Sequence, residues 1–176
     1  FGNAAWPRPE SYNNDGIIGP DAAVTPREGW AYAILPRVVE ALRAGGVTHR
    51  GKVRLFGHSA NGQFVHRLMA TQDHSIYEAV ACGNPGWYTL PTLERAFPEG
   101  LGGLGMIDAD LARWLGYPMT ILAGDQDIST TDENLPRNPE ALAQGPTRFA
   151  RAHFFHDMAQ REAARLGVAC RWSLVP

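Results

Sequence analysis

A chain of 176 residues with 44% hydrophobic content can bury one domain-sized core. Its net charge of −2, with no run of like charges, argues against a nucleic-acid partner. No stretch reaches the roughly 18 apolar residues a bilayer crossing needs, and Cys82 and Cys170 lack metal spacing and are too few for a disulfide framework, so they read as buried free thiols.

Residues 1–25 are rich in Pro, Asn and Gly (WPRPESYNNDGIIGPD) and predict a long loop. Thr25-Pro26-Arg27-Glu28 has the form of a capping box with proline at the first helical position. A helix is therefore expected from there to about Ala44, stopped by Gly45-Gly46, with Trp30, Ile34, Val38 and Leu42 as its buried face. Pro36 falls inside that span and predicts a kink.

Lys52 to Leu68 reads KVRLFGHSANGQFVHRL. Val53, Leu55 and Phe56 predict a strand, and Phe64, Val65, Leu68 and Met69 predict a helix with an apolar stripe running to about Thr71. Between them lies Gly57-His58-Ser59-Ala60-Asn61-Gly62. A serine held at so sharp a strand-to-helix turn is the layout of a nucleophile elbow, where crowding demands small neighbours. Gly57, Ala60 and Gly62 are small, whereas Asn61 stands where the usual pattern has its last glycine. The bland alternative is a tight turn whose serine merely caps a helix. Strand before and helix after favour Ser59 as nucleophile, with the Ala60 N–H as one oxyanion donor.

Ala79–Cys82 predicts a second strand, ending at Gly83-Asn84-Pro85-Gly86-Trp87-Tyr88. His58, Trp87 and Tyr88 are candidates to line a pocket there, with plain packing the rival reading for the aromatics. Residues 89–117 are irregular and glycine-rich (Gly100, Gly102, Gly103, Gly105), with a short helix around Asp108 to Leu115, and stand as a lid or insertion. Met119–Ala123 predicts a third strand, followed by Gly124-Asp125-Gln126-Asp127. A helix from about Pro146 to Leu166, closed by Gly167, precedes a last strand over Val168–Val175. Arg148 and Arg151 share a face of that helix and read as a salt-bridged surface rather than a substrate clamp. Alternating strands and helices define an α/β protein: a parallel sheet of about four strands flanked by helices.

A serine nucleophile needs a histidine base and a carboxylate that orients it, and with this type of elbow the chain order is Ser, acid, His. Asp125 and Asp127 both follow the third strand. Of the six histidines, His49, His66 and His74 are poorly placed, His58 sits in the turn itself, and His153 and His156 fall within a helix. The base is expected outside residues 1–176, with His153 the in-chain alternative.

The turn GHSANG, the Gly-Asp-Gln-Asp loop and the strand Arg171 to Val175 together resemble an α/β-hydrolase. YNNDGIIGP, GNPGWYTLP and LPRNPEALAQGPTRFAR are similar to bacterial poly(3-hydroxyalkanoate)-depolymerase-like and related esterases. The resemblance implies a partial α/β-hydrolase fold, with residues 1–176 as one domain forming its central-to-C-terminal part. It also implies an acid three positions after the strand-end glycine, hence Asp127, and a small-molecule or polymeric carboxylic ester as substrate. Such an enzyme requires no metal or organic cofactor. A peptidase or amidase of the same fold, or a non-catalytic scaffold keeping the turn, are the alternatives.

Overall fold

The computed structural model describes residues 16–19, 21 and 23–176, so the loop expected over 1–25 lies mostly outside the described residues. The chain divides into two compact units, one ending at Arg50 and the other running from Gly51 to Pro176.

In the first unit, Ile18 and Val24 form an antiparallel bridge. Two short 3-10 turns, Arg27–Gly29 and Ala31–Ala33, lead into helix α1, Ile34–Ala44. The expected single helix from Thr25 is thus broken at Trp30, whose extended backbone separates the two turns. The capping box does not form: Pro26 occupies the cap position without a side-chain bond, and the Thr25 hydroxyl donates to the Gly16 carbonyl at 2.5 Å. Pro36 also does not lie in the interior of a helix. Pro36 is the third residue of α1, where its missing N–H has no intrahelical partner to lose. Trp30 is buried, but Ile34, Val38 and Leu42 are exposed and Val39 is the buried residue of α1. A four-residue repeat extrapolated across the break at Trp30 marked the wrong face.

The second unit is a four-stranded sheet in the order β1-β2-β3-β4, every pairing parallel. The strands are β1 (Val53–His58), β2 (Tyr77–Gly83), β3 (Met119–Leu122) and β4 (Ser173–Val175). The helices between them are α2 (Ala60–Thr71), α3 (Asp108–Leu115), α4 (Pro139–Gln144) and α5 (Arg148–Leu166). The α/β class expected from the sequence is the fold observed. Glycine at 167 takes the left-handed conformation (φ 68°) that stops α5, as the sequence predicted. Helix α4 went unpredicted, although Pro139 at its start is a fitting signal. The last strand is shorter than expected, because Val168–Arg171 connects α5 to the sheet rather than pairing in it.

Phe155 on α5 anchors the core. Its ring stacks on Tyr88 at 4.3 Å and lies 4.9 Å from Trp172, which in turn packs on Trp114 at 4.8 Å. Arg148, Arg151, Ala152, Phe155, Ala159 and Ala163 form the buried stripe of α5, at helical spacing. Residues 90–102 are tied by backbone bonds, including Leu90 N–H to Glu99 O and Leu101 N–H to Thr92 O, both 2.8 Å, with Leu90, Phe97 and Leu101 buried.

The strand register positions the site. His58 pairs with Gly83, Gly83 with Leu122, and Leu122 with Val175. All four strands therefore end in one row, and the segments that follow leave from the same edge. In open α/β sheets that carboxyl edge is where sites form.

Candidate active site

Ser59 is the turn residue between β1 and α2, with φ 57° and ψ −119°. A non-glycine residue there carries strain of order 1–3 kcal/mol that its surroundings must enforce. The enforcement is visible in the backbone: Ser59 N–H donates to Gly83 O at 2.8 Å, and Gln63 N–H donates to Ser59 O at 3.1 Å. The Ser59 side chain makes no capping bond to α2, so a helix cap does not account for it.

Glycine is required beside it. A Cβ on Gly57 would lie 2.2 Å from the Asn61 carbonyl oxygen and 2.7 Å from Val65 Cγ2. On Gly62 it would lie 2.9 Å from the Gly83 carbonyl oxygen. Asn61 is tolerated in place of the usual glycine because the residue is exposed, and it is its backbone that a Cβ at position 57 would meet. Ala60 opens α2, so its N–H lies outside the intrahelical ladder.

A depression of about 350 Å³ is lined by His58, Ser59, Asn84, Asp127, Asp132, Asn134 and Arg148. It joins the turn after β1, the residue after β2 and the loop after β3. Ser59 and Asp127 are thus brought together, and His58 borders the same space. Asp125 is exposed and stands outside that lining, which separates the two acids. Trp87 and Tyr88 are not in that lining, and their contacts fit the packing reading. Trp87 lies against the Arg67 guanidinium, 5.5 Å from its ring centroid, and Tyr88 is fully buried on Phe155. The Gln144 amide binds the Tyr88 backbone on both sides, at 2.8 and 2.7 Å.

Asn84, Asp132, Asn134 and Arg148 were not identified as site residues from the sequence. Asn84 has φ 44°, and its Oδ1 accepts the Gly124 N–H at 2.9 Å, tying the end of β2 to the start of the acid loop. A Cβ on Gly124 would meet Asn84 Nδ2 at 3.0 Å, so glycine lets the two segments close up. Asp127 N–H donates to Gly124 O at 2.9 Å, completing the turn. Arg148 is buried rather than a surface residue, and donates to Asp132 at 2.7 Å and to Asp127 at 3.3 Å. Burial disfavours its charge, but hydrogen bonds to Asp132 and Asp127 outweigh that and raise its pKa. The Arg148 bond holds the Asp132 carboxyl below its ordinary range. Arg151 is fully buried and donates to the carbonyls of Gly145 (2.9 Å), Pro136 (2.9 Å) and Gly86. Arg148 is thus salt-bridged as expected but buried rather than on the surface, and Arg151 binds carbonyls instead of carboxylates.

The other histidines are placed elsewhere. His66 is fully buried, bonded to Gly62 O and to the Thr89 N–H at 2.9 Å each, and burial, then the Arg67 charge, drive its pKa down to about 3. His74 is bonded to Met69 O. His153 is exposed with its ring 4.5 Å from Phe149, and His156 contacts Gln160. None of these lines the depression. Among the described residues no cluster of His, Cys, Asp or Glu could hold a metal ion, and no helix is long and apolar enough to cross a membrane.

Parallel strands ending in one row, with a strained serine after the first and an aspartate after the third, define a fold of the α/β-hydrolase class. Comparison with solved structures gives the nearer likeness. The chain is similar to LpqC, a poly(3-hydroxybutyrate) depolymerase from Bordetella parapertussis, at TM-score 0.92 and 50% identity over 99% of this chain and 60% of that one. It is also similar to poly(aspartic acid) hydrolase-1 from Sphingomonas sp. KT-1, at TM-score 0.91 and 34% identity over 99% of this chain and 66% of that one. The chain therefore resembles the depolymerase-type α/β-hydrolases, as its motifs implied, and spans less than two thirds of either protein. No family model matches it, and no curated protein does.

Proposed function

We propose that this chain carries the nucleophile and the acid of a serine hydrolase that cleaves carboxylic esters, polymeric ones included, through an acyl-enzyme. The observation that carries the reading is the backbone of Ser59, strained at φ 57° and ψ −119° without serving as a cap, on the same depression as Asp127. Strain of this kind persists where it aims a side chain.

Ser59 Oγ attacks the ester carbonyl while a histidine takes its proton, and the tetrahedral oxyanion is held by backbone N–H groups, that of Ala60 among them. Collapse expels the alcohol, which receives the proton from the histidinium. Water then attacks the acyl-serine by the same route and releases the acid. Asp127 orients the histidine and stabilises its cation. The base is proposed to come from outside residues 1–176. His58 is the only histidine in the lining, and it adjoins the serine in sequence. The end of β4 at Val175 lies in the same row as the ends of β1, β2 and β3, so a following segment would leave the sheet at the site's edge.

The ester preference rests on the likeness to a poly(3-hydroxybutyrate) depolymerase. A fluorophosphonate probe on the full-length protein should label wild type and spare Ser59→Ala. Equal labelling of both would refute the nucleophile, and no labelling of either would favour a binding or scaffold domain. Asp127→Asn should lower esterase activity by several orders of magnitude, with Asp125→Asn close to wild type. Cleavage of poly(aspartic acid) but not of poly(3-hydroxybutyrate) would move the substrate class to that of the second neighbour.

A further inference from the structure

The acid loop is held by charge from a distant part of the chain. Arg148 opens α5, is only 8% exposed, and directs one nitrogen, Nη1, to two carboxylates. That nitrogen is 2.7 Å from Asp132 Oδ2 and 3.3 Å from Asp127 Oδ1. The same helix end donates a second bond to the loop, from Phe149 N–H to the Asp127 carbonyl at 3.3 Å. Thr147 Oγ1 accepts the Ala150 N–H at 3.1 Å, so the helix start is itself fixed.

We infer that Arg148 is a positioning residue for Asp127, and that Asp132 sets how much of the guanidinium charge that acid experiences; the inference rests on Asp127 being the acid of the proposed serine hydrolase. An arginine serving only to tie down one carboxylate would favour a two-pronged bond to it. Here one nitrogen is divided between two, with the shorter contact to the residue that has no assigned role. A cation beside Asp127 opposes the positive charge that the base acquires when it accepts the serine proton. Asp132 offsets that cation. Two carboxylates and one guanidinium leave a net negative charge facing the depression, which suits a site that must stabilise a histidinium.

The groups facing Asp127 come from several elements. Arg148 comes from α5, Asp132 from the loop after Asp127, and His58 from the end of β1 across the depression. The buried Tyr88 hydroxyl, after β2, interacts electrostatically with Asp127 from the interior. Asp125, in the same turn, is exposed.

The test is the pH profile of kcat/KM for p-nitrophenyl butyrate hydrolysis by the full-length protein. Arg148→Met should lower the plateau about 100-fold through misplacement of the acid. It should also move the acid limb up by roughly 0.5 to 1 pH unit, because loss of the cation makes the base more basic. Asp132→Asn keeps an oxygen to accept from Arg148 while removing the charge, and should move the limb down. Arg148→Lys keeps the charge without the guanidinium fork, and should return the limb to its wild-type position with only part of the plateau. Limbs unmoved in Arg148→Met and Asp132→Asn, or moved in the same direction, overturn the inference and leave Arg148 a structural tie. Asp127→Asn on the same ester separates the two levels. Full activity there removes the acid assignment and the inference together, whereas loss there with unmoved limbs removes only the inference.

Discussion

The turn at Ser59 and the loop at Asp127 face one depression but are held by different physics. Ser59 is confined by close backbone packing, Gly57 against Asn61 within the turn and Gly62 against Gly83 on the neighbouring strand, with one backbone bond to that same Gly83 carbonyl. Asp127 is confined by polar contacts from far along the chain, through Asn84 to Gly124 and through Arg148 and Phe149 from α5. Repulsion over short distances is insensitive to salt and pH, whereas ion pairs and hydrogen bonds respond to both. One functional group is thus set rigidly, and the other can be tuned.

The largest effect that would break this comparison is Gly57→Ala. The new Cβ meets backbone atoms at 2.2 and 2.5 Å, which no rotamer change relieves. A loss of more than about 4 kcal/mol is expected in urea unfolding, with the serine no longer labelled. Tolerance of that methyl would show that the turn is not sterically confined.

Next is Arg151→Met, which removes the donors that gather the Gly86, Pro136 and Gly145 carbonyls beside the acid loop. About 3 kcal/mol of stability should be lost, since buried acceptors are left without partners. A melting temperature equal to wild type would place the loop's rigidity elsewhere.

His66 supplies a smaller, pH-dependent effect on the elbow helix. The folded ring stays neutral down to about pH 3, while the unfolded ring protonates near its ordinary 6.5. As pH falls, the unfolded chain takes up the proton first. The contribution of His66 is therefore complete above about pH 6.5 and declines below it by ~1.4 kcal/mol per pH unit, until about pH 3. Denaturant midpoints at pH 7 and pH 5 for wild type and His66→Gln test this. An identical decline in both would assign the pH dependence to other groups.

The smallest effect sharpens the comparison from the other side. Ser59→Gly should stabilise the protein by about 1 kcal/mol relative to Ser59→Ala, because glycine adopts φ 57° without strain. No difference in melting temperature between the two would mean that the turn stores no strain.

Legibility followed the range of the forces. The helix at Asp108–Leu115, the elbow helix to Thr71 and the α5 terminus at Gly167 were readable because each is set by neighbours within a turn or two. The face of α1 was misread because one period was carried across a break at Trp30, where the backbone turns extended. The aromatics after β2 were ambiguous for another reason. Tyr88 is held through its backbone by Gln144, 56 residues away, and Trp87 lies on Arg67, 20 residues earlier; no local pattern encodes either contact. Asn84 and Arg148 could be noticed as a strand-end asparagine and a helix-start arginine, but neither position announces a partner.

By itself the sequence determined the alternation of strands and helices, the small residues around Ser59 and the aspartates after β3, since these follow from backbone sterics and periodicity along the chain. Only the tertiary structure put Asp127, and not Asp125, in the lining it shares with Ser59, packed Tyr88 inward, and divided Arg148 between Asp127 and Asp132. Those outcomes depend on strand register and on ion pairs between distant segments, and such forces come into being only when the sheet brings its strand ends into one row.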